Sequence, residues 1–152
     1  MGSTERIKNV AKRVAKWARA GHQMVVVPSA MSGETNRLLG LAKELAPAKT
    51  DAAYGRELDM LAATGEQASS ALLAIALQSE GVEAVSYAGW QVQVKTDSSY
   101  TKARIESIDD ERVRADLDVG IGHGTQDVVC DARLVGHAHD RDLGFVAVER
   151  DA

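Results

Sequence analysis

The chain has 152 residues, 45% of them hydrophobic and 26% charged, with a net charge of -4. That length fits one domain with a real core, and the acidic balance leaves no dominant basic face for a nucleic acid. A single Cys130 excludes an intrachain disulfide framework and a cysteine-rich zinc site. With no apolar run near the roughly 20 residues of a membrane span and no signal-peptide pattern, the chain reads as cytoplasmic and free of the membrane.

Ser3-Thr4-Glu5-Arg6 sets a hydroxyl ahead of an acid in the first turn, an N-cap signal. A helix is predicted over Thr4–Arg19, closing at Gly21. Its Lys and Arg residues alternate with Ile7, Val10, Ala11, Val14 and Trp17 at helical spacing, which describes a solvated face rather than a phosphate-binding patch. Met24-Val25-Val26-Val27 is an uninterrupted apolar run, as a strand buried on both faces requires. The loop Pro28-Ser29-Ala30-Met31-Ser32-Gly33 follows, then a helix over Glu34–Leu45 carrying Leu38, Leu39, Leu41 and Ala42. Residues 46–55 read as an exposed connection.

Residues 56–63 are predicted helical, a Thr64-Gly65 turn follows, and a second Ala/Leu-rich helix covers 66–80. In this reading Glu66 is a carboxylate fixed at a tight turn. Val82 to Tyr87 makes the next strand, and Ala88-Gly89-Trp90-Gln91 the loop at its end. Short strands are expected over 92–96 and 101–105, with a helix over 109–118 capped by Asp109. Alternating helices and apolar strands define an α/β fold with a mainly parallel sheet between helices, in which ligands sit at the carboxyl ends of strands. Ser29 and Gly89-Trp90 lie in such loops.

Several of these segments carry a family resemblance. Val25-Val26-Val27-Pro28-Ser29-Ala30-Met31-Ser32-Gly33-Glu34-Thr35-Asn36-Arg37-Leu38-Leu39 is similar to the aspartokinase strand and loop that contribute to the aspartate site. Arg56-Glu57-Leu58-Asp59-Met60-Leu61-Ala62-Ala63-Thr64-Gly65-Glu66-Gln67 resembles that family's second substrate segment. Ser86-Tyr87-Ala88-Gly89-Trp90-Gln91 and Ala103-Arg104-Ile105 match as well. The resemblance runs from Gly2 to about Asp118, so residues 1–118 read as a partial amino-acid kinase domain. It implies a three-layer helix-sheet-helix sandwich, incomplete here, and transfer of a phosphoryl group from ATP, with Mg, to the side-chain carboxylate of aspartate. That reaction opens the route to lysine, threonine and methionine.

By motif position, the resemblance implies that Thr35 and Glu66 hold aspartate, with Ser29 close by. A carboxylate suits the substrate ammonium and a hydroxyl suits a carboxylate. The same two residues also stand where helices are predicted to begin, so capping of free amide groups is the alternative duty. Phosphoryl transfer further needs cations and backbone donors around the triphosphate. Aspartokinases provide these in a Lys-Phe-Gly-Gly-Thr-Ser strand and loop, a motif that these 152 residues do not contain. The expectation is therefore an impaired kinase or, alternatively, a non-catalytic module that binds a small ligand or self-associates through exposed strand edges.

Residues 119–152 depart from the family pattern and shift in composition: three of the four histidines and Cys130 lie here, and Lys102 is the last lysine. Gly120-Ile121-Gly122-His123-Gly124-Thr125 lacks the spacing of a phosphate loop. His137-Ala138-His139-Asp140, with His123 and Cys130, offers metal-ligand types without a pattern that fixes four of them, so solvated histidines are the preferred reading. Val128-Val129-Cys130 and Leu143-Gly144-Phe145-Val146-Ala147-Val148 are candidate strands that would substitute for missing ones in the sheet.

Overall fold

The computed structural model describes residues 1–92, 94–119 and 145–148. Helix α1 spans Thr4–Arg19, with the Ser3 hydroxyl accepting from the Arg6 amide at 3.3 Å. Its buried positions, Ile7, Ala11, Ala15 and Ala18, recur every three or four residues and form one stripe. The stripe is mostly alanine, so α1 approaches its neighbour closely. The chain leaves α1 through Gly21 at φ +88°, a left-handed backbone that favours glycine.

Strand β1 (Met24–Val26) leads through the loop 27–33 into α2 (Glu34–Leu45). Helix α3 then runs unbroken over Ala52–Ser79, with the Asp51 carboxylate accepting from the Tyr54 amide at 2.8 Å. This corrects two expectations. The connection is shorter than predicted, with Gly55 already buried inside α3, and no turn interrupts the helix at Thr64-Gly65. The Thr64 hydroxyl donates to the Leu61 carbonyl at 2.7 Å, an ordinary bond within a helix. Glycine at 65 serves packing instead: a Cβ there would lie 3.1 Å from the Ala30 Cβ and 3.8 Å from Leu38 Cδ1. Small size at this point lets the loop after β1 rest on the helix.

Against the sequence expectation of no such run, α3 is long and apolar enough to cross a membrane, yet half of that window is buried inside the fold. It packs against α1, α2 and β2 as a core helix. The order continues with β2 (Ala84–Tyr87), a 3-10 turn at Gly89–Gln91, β3 (Val94–Thr96), β4 (Ile105–Ile108), α4 (Glu111–Val119) and β5 (Phe145–Val148).

The main sheet has the order β1-β5-β2, and β5 pairs antiparallel with both neighbours. Val25 and Val85 face the same residue, Ala147, from either side. It follows that β1 and β2 run in the same direction, one strand apart. Strand β5 comes from the 143–148 segment expected to fill a gap in the sheet. The other candidate strand, 128–130, lies outside the described residues. Strands β3 and β4 form a separate antiparallel pair.

Alternate residues of β1 and β2 divide between two cores, as period-two geometry dictates. Met24, Val26 and Ala84 join Ile7, Ala11, Leu73 and Leu77 beneath α1 and α3. Val25, Val27, Val85 and Tyr87 join Val113 and Leu117 of α4. The Gln23 amide donates to the Leu117 carbonyl and ties the start of β1 to the end of α4. The described elements are those of an α/β fold.

Candidate functional site

The three residues singled out by sequence lie on the loop after β1, the first turn of α2 and the middle of α3, elements that meet where Ala30 and Glu34 approach Gly65. Ser29 is exposed in that loop and precedes the buried Ala30. Thr35 is half-buried in the first turn of α2. Its neighbour Glu34 is held by Arg37 through two contacts, at 2.7 and 2.8 Å, and its Cγ lies 3.7 Å from where a Gly65 Cβ would stand.

Glu66 is 8% exposed and sits in mid-helix. The capping duty considered for it from sequence is therefore ruled out, since no free amides of a helix start lie there. Thr35 keeps its place at a helix start, although α2 has Gly33 at its N-cap and no side-chain capping bond. Burial pushes the Glu66 pKa above the ordinary carboxylate value. A backbone hydrogen bond from Ala30 and the Met1 ammonium pull in the opposite direction. That ammonium donates to the Ala30 carbonyl at 3.3 Å.

The Oε2 atom of Glu66 is buried and has no hydrogen-bond partner among the described residues. A buried, partnerless carboxylate oxygen costs stability unless a donor reaches it. Sequence reasoning did not single out a second such atom, the Ser69 Oγ one turn further along α3. The signal available for it was a serine inside an Ala/Leu-rich helix, three residues from a carboxylate.

A second polar cluster lies under α4. The buried Tyr87 hydroxyl donates to Asp116, and the Arg112 guanidinium stands 5.9 Å from its ring centroid. Burial and the Asp116 carboxylate both push the Tyr87 pKa up. Beside it an open cleft of about 400 Å³ is lined by Gln91, Val92, Asp109, Glu111, Arg112 and Ala115.

ATP with Mg needs a donor set of a different kind. Among the described residues no group of three or more His, Cys, Asp or Glu side chains is placed to hold a metal ion. The loop after β1 carries one glycine and no lysine or arginine. These residues do not fit a triphosphate with its cation. His123, Cys130, His137 and His139 lie outside the described residues.

The chain belongs to the amino acid kinase family, whose model matches residues 1–126, somewhat beyond Asp118. Within that family its relatives are aspartokinases. It is 56% identical to an aspartate kinase of Pseudomonas putida, 53% to an aspartokinase of Pseudomonas aeruginosa and 44% to aspartokinase 2 of Bacillus subtilis. Each of these alignments spans 120 residues, 79% of this chain and 28% of the relative, so the chain spans less than a third of their length.

Proposed function

We propose that these residues form the aspartate-recognising part of an aspartokinase, the enzyme that moves the γ-phosphoryl group of ATP onto the side-chain carboxylate of aspartate. The observation that carries this is the buried, partnerless Oε2 of Glu66, in the segment that matches the family's substrate motif. A carboxylate in this state is completed by a ligand ammonium, and the charge-assisted bond offsets its burial. Thr35, at the start of α2, donates its hydroxyl to a substrate carboxylate. Ser29, in the exposed loop, lines the entrance.

In the same reading, β1 and β2 are two strands of a mainly parallel sheet inside a helix-sheet-helix sandwich. The division of their side chains between two cores supports this. The 152 residues alone bind aspartate and do not turn over ATP, because the described residues supply neither phosphate-binding backbone nor a cation site. The protein is cytoplasmic and self-associates, with the outer edges of β1 and β2 unpaired among the described strands.

Isothermal titration with aspartate and with ATP tests the reading. Aspartate binding by the wild type, lost in Glu66→Gln, supports it; equal aspartate binding by both sinks it. A coupled assay that detected ATP-dependent aspartyl phosphate above background would overturn the claim that phosphoryl transfer is impaired.

A further inference from the structure

Among the described residues, helix α3 buries two polar atoms without partners, Glu66 Oε2 and Ser69 Oγ. Residues three apart on a helix share a face, with Cβ atoms about 5–6 Å apart. Ser69 is 0% exposed, and so is deeper than Glu66 at 8%. The adjacent Ser70 shows how a helical serine normally satisfies itself: its Oγ donates back to the Glu66 carbonyl at 2.9 Å. Ser69 makes no such bond. It also lies one turn along from Gly65, whose surface meets Ala30 and Leu38. Ser69 thus shares the face of α3 that carries Gly65 and Glu66.

We propose that Ser69 is a substrate-binding residue whose Oγ, together with Glu66 Oε2, receives the primary ammonium of an amino-acid ligand. The inference rests on reading this region as the aspartate site and adds to it the residue that completes ammonium recognition. An ammonium carries three donors. The region offers acceptors to match: a carboxylate oxygen, a hydroxyl and the Ala30 carbonyl, which already draws the Met1 ammonium to 3.3 Å. With the ligand bound, both buried atoms gain partners that the empty fold does not supply.

The experiment titrates wild type, Ser69→Ala and Glu66→Gln with L-aspartate and with succinate, which keeps both carboxylates and lacks the ammonium. Thermal melts of the three proteins without ligand accompany the titrations. Ser69→Ala is expected to melt at or above the wild-type temperature, because it deletes a buried partnerless hydroxyl. Its affinity for aspartate should fall about tenfold, as expected for a hydrogen bond to a charged group, while its affinity for succinate stays at the wild-type value. Unchanged aspartate affinity in Ser69→Ala, with binding still lost in Glu66→Gln, overturns the role of Ser69 and leaves the aspartate site standing. An equal loss for aspartate and succinate, or a large drop in melting temperature, assigns Ser69 to structure and also overturns it. Wild-type protein that fails to bind aspartate removes the site itself, and the inference with it.

Discussion

Gly65→Ala separates close packing from helix propensity. Replacing a glycine in a helix interior by alanine gains about 1 kcal/mol of intrinsic propensity. At position 65 the new methyl would stand 3.1 Å from the Ala30 Cβ, with Glu34 Cγ at 3.7 Å and Leu38 Cδ1 at 3.8 Å. The first contact falls several tenths of an ångström inside ordinary carbon–carbon separation. Because Ala30 Cβ is fixed to its backbone, the loop must move. Overpacking of this kind costs about 1–3 kcal/mol, so the net effect is a loss of up to about 2 kcal/mol. In a chain of this size that lowers the melting temperature by several degrees. Gly40→Ala is the control, since it lies inside α2 and its added methyl meets nothing within 4 Å. That variant should gain close to the full propensity term. Differential scanning calorimetry of both variants reads the difference directly, and aspartate titration of Gly65→Ala should show weakened binding because the Ala30 amide moves with the loop. A Gly65→Ala variant stabilised as much as Gly40→Ala refutes the close-approach argument.

Three further predictions follow from the same geometry. The raised pKa of Glu66 contributes stability that is present below the unfolded value of about 4.5 and lost as the pH rises through the folded value. Glu66→Gln should therefore melt above wild type at pH 7 and converge with it by about pH 4; the same shift at both pH values would contradict this. Tyr87→Phe removes the hydroxyl that donates to Asp116. It should lower the urea midpoint, at a cost of about 1–2 kcal/mol. Ala147→Pro deletes a ladder amide from the middle strand of the sheet. Hydrogen exchange along β1 and β2, at the amides that pair with β5, should then quicken together, whereas protection kept in either strand would show that β5 does not hold it.

Local signals were legible wherever one residue decides the local structure. The hydroxyl-acid pair at Ser3 and Glu5 marks the start of α1, and a left-handed glycine marks its end. The apolar run at β1 and the helix over Glu34–Leu45 fall where hydrophobic period places them. Gly65 was misread for a physical reason. A Thr-Gly pair within a helical pattern is ordinarily a break, and the argument for glycine here lies in Ala30, 35 residues away in sequence. Ser69 was illegible for a related reason. A serine in an alanine-rich helix looks neutral until the fold buries it and denies it a partner. Tyr87 likewise read as a strand residue, and its bond to Asp116 exists only because α4 folds back over the sheet.

The middle strand links fold to site. Strands β1 and β2 run in the same direction with β5 between them, so their carboxyl ends lie on one edge of the sheet. Two strand spacings set those ends roughly 10 Å apart. The loop holding Ser29 and Ala30 leaves one of them, and the turn at Gly89–Gln91 leaves the other. The first loop is braced a second time, against Gly65 on α3, and that contact brings the Ala30 amide to the Glu66 carboxylate. Sheet register and helix packing thus converge on the same loop. Loss of β5 frees β1 on one side while the Gly65 contact still holds the loop, so Ala147→Pro should weaken aspartate binding less than Gly65→Ala does, even where it costs more stability. The reverse ranking would place the control of the site in the sheet.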